Sequence, residues 1–161
     1  MSDTHTAASG RRAAGPDQAA KLARLRTSSL GAVVMLIIQF ILGIIYNLYG
    51  TAPTSTKSIG LFSSPVIALH VIVGILLLLA GIAQLVRVIG TRHELAIWLS
   101  ALGLLFILGA FFAGLGFTNG GAAGASLGMA LAFAASLACY VVLIVVLPST
   151  VSGGARPSST T

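Results

Sequence analysis

Charge is what this sequence has least of. Only 7% of its 161 residues are charged, and three are acidic: Asp3, Asp17 and Glu94. A soluble globular domain carries about 25% charged residues, so an ordinary water-solvated surface is excluded. Disorder as the main state is excluded too, because disorder goes with low hydrophobicity and high charge, and here 57% of residues are hydrophobic. Three scattered acids leave little for two-carboxylate catalysis or an all-carboxylate metal site. The single cysteine, Cys139, excludes a disulfide framework and any multi-cysteine zinc or iron–sulfur site. What remains is an integral membrane protein.

Long apolar runs are what the sequence has in place of charge. A spanning helix needs about 20 mainly apolar residues. Residues 30–49, 65–86, 95–117 and 125–147 meet that length with no formal charge inside. Backbone groups in lipid must be satisfied within the segment, so each run predicts a helix. Short alternating segments of the β-barrel kind do not occur. The expected fold is all-α: a four-helix, four-span membrane bundle of up-down topology. The punctuation agrees. Ser63-Ser64-Pro65 puts proline at the first position of span two. Thr91 and Glu94 have capping-box spacing before span three. Asn119-Gly120-Gly121 predicts a turn, and Pro148 a stop after span four.

Basic residues set the orientation. Of nine, only Lys57 lies in a connection predicted to face outward. Arg11, Arg12, Lys21, Arg24, Arg26, Arg87, Arg92 and Arg156 share the other side. Both termini are therefore expected in the cytoplasm, with the protein in a bacterial plasma membrane. The net charge of +6 then reports topology and lipid contact. No folded basic face or aromatic platform points to nucleic acid. Span one, about 20 residues behind a 29-residue stretch, exceeds a signal-peptide core and is expected to stay as an anchor. The tails, 1–29 and 148–161, are expected to be disordered. Residues 17–28 could form a short basic helix on the inner leaflet, with Lys21, Arg24 and Arg26 meeting anionic headgroups at about 1 kcal/mol each.

Membrane helices associate through small residues and polar contacts, since lipid tails are as apolar as leucine. Each span has such a stripe. They run Gln39, Gly43, Tyr46, Asn47 and Gly50; His70, Gly74, Leu77, Gly81 and Gln84; Ser100, Gly103, Ile107, Ala110 and Gly114; and Gly124, Gly128, Ala132, Ser136 and Tyr140. Steps of three and four on spans two and three predict a left-handed bundle seam. Phe40-Ile41-Leu42-Gly43 recurs as Phe106-Ile107-Leu108-Gly109. A pair of two-helix hairpins would explain the recurrence, and so would chance in apolar sequence.

An ionisable residue inside a span is a functional candidate. His70 is the one with a near-neutral pKa. Imidazole can ligate haem iron, move a proton, or hydrogen-bond a neighbour such as Asn47 or Tyr46. A haem b would want a second axial ligand. His93 lies 23 positions further on, about 35 Å along a helix. Met129 lies at a depth similar to His70. The cofactor-binding candidates are thus His70 and Met129. Gln39, Tyr46, Asn47 and Gln84 are polar candidates for the bundle interior, where they would line a transport path or simply join helices. No residue set suggests catalysis or a bound metal ion.

Two stretches, Ser64–Gly81 and Phe111–Val141, resemble small four-span integral membrane proteins of actinobacterial type. The likeness covers residues 30–147. His70 and Gly74, an H-x-x-x-G pattern, are also similar to the haem-binding helices of cytochrome b and haem A synthase bundles. Those families supply paired histidines, and this sequence supplies one. The expected function is a membrane protein without a catalytic site, an accessory or structural component of a membrane complex. Its partners are the lipid bilayer and a membrane-protein partner or a second copy. The alternatives are a b-type haem or quinone electron carrier at His70, and a small transporter or channel.

Overall fold

A computed structural model describes residues 16–51, 53–54, 57–91, 93–120 and 123–147. It contains four helices, α1 (Pro16–Tyr49), α2 (Pro65–Ile89), α3 (Glu94–Gly120) and α4 (Ala123–Val146). Each is long and apolar enough to cross a membrane. Among the described residues the only β pairing is a single bridge between Thr54 and Lys57. Each helix packs on its sequence neighbour, and α1 closes the ring on α4. The chain is a four-helix bundle with the composition of a multi-pass membrane protein.

The stripes of α2 and α3 and most of that of α4 do the packing, whereas Asn47 and Gly50 of the α1 stripe and Gly124 at the start of the α4 stripe are exposed. On α2, Leu77, Gly81 and Gln84 are buried. On α3 the buried positions are Ala96, Ser100, Gly103 and Ile107. On α4, Ser136 and Tyr140 are fully buried. α3 and α4 approach most extensively, because small residues face them. A Cβ at Gly114 would meet the Met129 sulfur at 3.4 Å, and one at Gly128 would meet Ala113 at 3.8 Å. Phe40 of α1 stacks on Phe133 of α4, with ring centroids 4.7 Å apart. Trp98 and Tyr49 point outward at 67% and 84% exposure, as interface anchors do.

Burial is uneven along the bundle axis. The core cluster holds Leu22, Leu25, Ala32 and Leu36 of α1, Leu77 and Val88 of α2, Ala96 and Ile107 of α3, and Tyr140, Leu143 and Leu147 at the end of the chain's last span. These lie toward the end where Arg24, Arg26 and Arg87 emerge. In the opposite half, which carries His70 and Met129, the described helix positions other than Ile67 are half-buried or exposed.

Several boundaries differ from the expectation. α1 begins at Pro16, well before the apolar run. Residues 17–28 are continuous with span one and do not form a separate surface helix. The reason is periodic: Leu22, Leu25, Ser29, Ala32 and Leu36 form one buried stripe, while Arg24 stays outside it. Thr91 does not open α3. Its hydroxyl donates to the Val88 carbonyl at 2.7 Å and closes α2. That carbonyl sits in the last turn of α2 and needs a donor. α3 also runs through Asn119 and Gly120, where a turn was expected. The start of α2 is as expected: the Ser64 hydroxyl accepts from the Ile67 amide at 3.3 Å, ahead of Pro65. The tails at 1–15 and 148–161, with Arg11, Arg12, Pro148 and Arg156, lie outside the described residues, as do Arg92 and Gly121.

The 50–64 connection folds back on the helix ends. Tyr46 Oη donates to the Thr51 carbonyl at 2.9 Å. Gly50 turns the chain so tightly that a Cβ there would overlap the Tyr46 carbonyl and ring. Further along, the Ile59 amide donates to the Thr118 carbonyl at 3.0 Å. That bond ties this connection to the far end of α3.

Candidate functional site

Gln39 and His70 meet between α1 and α2. The Gln39 amide nitrogen donates to the His70 carbonyl at 3.0 Å. Glycines make this approach fit on both sides. A Cβ at Gly43, one turn beyond Gln39, would stand 3.4 Å from His70 Cε1. A Cβ at Gly74, one turn beyond His70, would stand 3.0 Å from the Gln39 nitrogen. Each polar side chain therefore lies over the glycine of the opposing helix. Two buried atoms in this pair have no hydrogen-bond partner, Gln39 Oε1 and His70 Nδ1. An unpaired buried polar group costs about 1–3 kcal/mol, so these atoms mark the pair as the candidate site. Gln39 Oε1 can accept a bond. His70 Nδ1 can accept or donate, according to its tautomer.

Gln84 belongs to a different group, near the basic end. Its amide nitrogen donates to Ser29 Oγ at 2.7 Å. Ser29 Oγ in turn donates to the Leu25 carbonyl at 2.9 Å. Ser28 Oγ donates to Gln84 Oε1 at 3.4 Å. This network is saturated and joins α1 to α2. Ser28 and Ser29 are absent from the sequence-based candidates because they precede the apolar run. The signal that finds them is the stripe Leu22–Leu25–Ser29.

A third group fills the centre of the bundle. The Tyr140 ring lies against Gly103, whose Cβ position is 3.0 Å from Cε2. Its hydroxyl reaches across to α2, 3.3 Å from the Cβ position of Gly81. Ser136 Oγ donates to the Gly103 carbonyl at 3.2 Å. Tyr140 Oη and Ser100 Oγ are buried without partners. Cys139 is half-buried, and its Cβ also lies beside Gly103, 3.5 Å from that glycine's Cβ position.

The remaining candidates have separate surroundings. Met129 sits on the α3–α4 contact, its sulfur facing Gly114. His70 sits on the α1–α2 contact. Tyr46 is engaged with Thr51, and Asn47 is exposed. The polar neighbour of His70 is thus Gln39. His70 and Met129 remain the side chains whose chemistry suits haem iron, and they belong to two different helix contacts. No protein-family model, curated protein or solved structure matches this chain.

Proposed function

We propose that this chain is a non-catalytic accessory component of a membrane assembly, seated in a bacterial plasma membrane with both termini in the cytoplasm. One observation carries the reading: Ala130, Ala134 and Ala138 form an outward-facing row along α4. Small residues at this spacing let a second helix approach closely. The bundle does not use them internally: on α4 the contacts are made by Gly128, Met129, Phe133, Ser136, Cys139 and Tyr140. The Gln84 network and the Tyr140 ring are likewise consumed in joining helices. The orientation follows from basic residues gathered at one end.

The test is the mass of the complex in mild detergent, measured by light scattering. The wild type should exceed one chain, either as a homo-oligomer or with a partner. Ala134→Leu should weaken the association roughly tenfold or more, since overpacking a close contact costs about 1–3 kcal/mol. Its melting temperature should match the wild type, because position 134 faces outward. A wild type that runs as a single chain, without partner, ends this reading.

A second reading, a b-type haem or quinone electron carrier, is favoured by the unpartnered His70 Nδ1 and Gln39 Oε1. It predicts a reduced-minus-oxidised absorbance band after expression with ample haem, and loss of that band in His70→Ala. A quinone carrier predicts instead extractable quinone that His70→Ala loses. A featureless spectrum with no bound quinone excludes both.

A further inference from the structure

The basic end of the bundle has a shallow, open cleft between α1 and α2 of about 430 Å³, lined by Ala23, Arg24, Thr27, Ser28 and Arg87. Arg24 is exposed on α1, and Arg87 is exposed in the last turn of α2. The described acids are Asp17 and Glu94, and neither lines the cleft. Two guanidinium groups from two helices therefore open onto one cleft with no carboxylate among its lining residues. A guanidinium presents a planar fork that suits phosphate oxygens. The spacing of the two carriers is fixed at that level. Ser28, itself in the cleft wall, bonds to buried Gln84, which bonds to Ser29.

The surface leading away from the cleft is apolar. On α1 the face of Arg24 and Thr27 continues through Gly31, Val34 and Ile38, all exposed. Gly31 leaves open space, with nothing within 4 Å of a Cβ placed there. On α2 the face of Arg87 continues through Ala83, Ala80 and Leu76. Charge at the membrane boundary followed by a small-residue apolar track matches a molecule with an anionic head and hydrocarbon tails. We propose that this cleft binds the phosphate headgroup of an anionic phospholipid, with an acyl chain along Gly31 and Ala83. Basic pockets between spanning helices recognise lipids in this way. The inference is independent of both functional readings above.

The experiment places the full chain in phosphatidylcholine nanodiscs containing a small share of phosphatidylglycerol. Lipid retained on the protein is then counted by native mass spectrometry. Arg24→Gln with Arg87→Gln should weaken phosphatidylglycerol retention about thirtyfold. Lys21→Gln with Arg26→Gln removes the same charge elsewhere, and should change retention less than about threefold, because neither residue lines the cleft and charges away from it act only through a screened field. Arg24→Lys with Arg87→Lys keeps the charge but loses the fork, and should fall between the two. All variants should melt with the wild type in pure phosphatidylcholine, since Lys21, Arg24 and Arg87 are exposed and Arg26 is only half-buried. Inorganic phosphate at millimolar concentration should not displace the lipid. Equal losses in the two glutamine pairs, no loss in either, or displacement by phosphate alone would overturn the proposal.

Discussion

Tyr140→Ala is expected to cost the bundle about 3 kcal/mol, and Tyr140→Phe almost nothing. The measurement is reversible unfolding in detergent, by temperature or by titration with sodium dodecyl sulfate. Tyr140 is fully buried and fills the space between Gly103 of α3 and Gly81 of α2. Truncation of a buried aromatic costs about 3–5 kcal/mol in water-soluble proteins. Inside a membrane the transfer part of that cost shrinks, because lipid is as apolar as the core. The cavity part remains, since no neighbouring backbone can collapse into a gap between three helices. Hence the low end of the range. The hydroxyl contributes differently. It is buried without a partner, so its removal loses no bond and spares a desolvation cost. If Tyr140→Phe were as damaging as Tyr140→Ala, the hydroxyl would be the anchor and the packing account would fail.

Gly103→Leu is expected to destabilise the same region from the other side, by about 1–3 kcal/mol or more. The Cβ position alone is 3.0 Å from Tyr140 Cε2 and 3.2 Å from Cζ, and leucine adds three further carbons. The ring has nowhere to retreat. Its hydroxyl already lies 3.3 Å from the Cβ position of Gly81, which itself would stand 3.1 Å from Leu104 Cδ1. Gly109→Leu is the control. It has nothing within 4 Å and leucine is the better helix former, so stability should hold or rise. Gly103→Leu combined with Tyr140→Ala should recover part of the loss, because the new side chain occupies the vacated space. Strict additivity of the two changes would show that they act in separate places.

Span length and stripe spacing made much of this legible in the sequence. Runs such as 95–117 are too long and too apolar for anything but a membrane-spanning helix, and the faces of α2 and α3 follow from steps of three and four. The helix ends were less legible, because loss of hydrophobicity marks the edge of the lipid and not the end of the hydrogen-bond ladder. α1 shows the difference: Arg24 and Arg26 lie before the apolar run, where Leu22, Leu25 and Ser29 already carry the buried stripe. The repeated Phe-Ile-Leu-Gly letters carried no structural meaning. Gly43 lies on the stripe of α1 and faces His70, whereas Gly109 is one position off the stripe of α3 and faces outward. Gln39 and His70 were both visible as inward-facing polar residues. Their pairing was not, because it depends on which helices are neighbours. The reciprocal glycines Gly43 and Gly74, each four residues beyond a polar side chain, were the available sign.

The bond from the Ile59 amide to the Thr118 carbonyl has a consequence for biogenesis. Its donor precedes α2 and its acceptor follows most of α3, so 59 further residues, Gly60 to Thr118, must be synthesised before it can form. The first hairpin can be released into the bilayer and pair through Gln39 and His70 while residue 118 is still inside the ribosome or the insertion channel. The connection capped by this bond is then the last part of the first hairpin to settle. Its closure reports that α3 has been delivered to full depth. A protease site inserted at residue 58 would be cut readily in nascent chains arrested before α3 and would resist cutting once α3 had been threaded through.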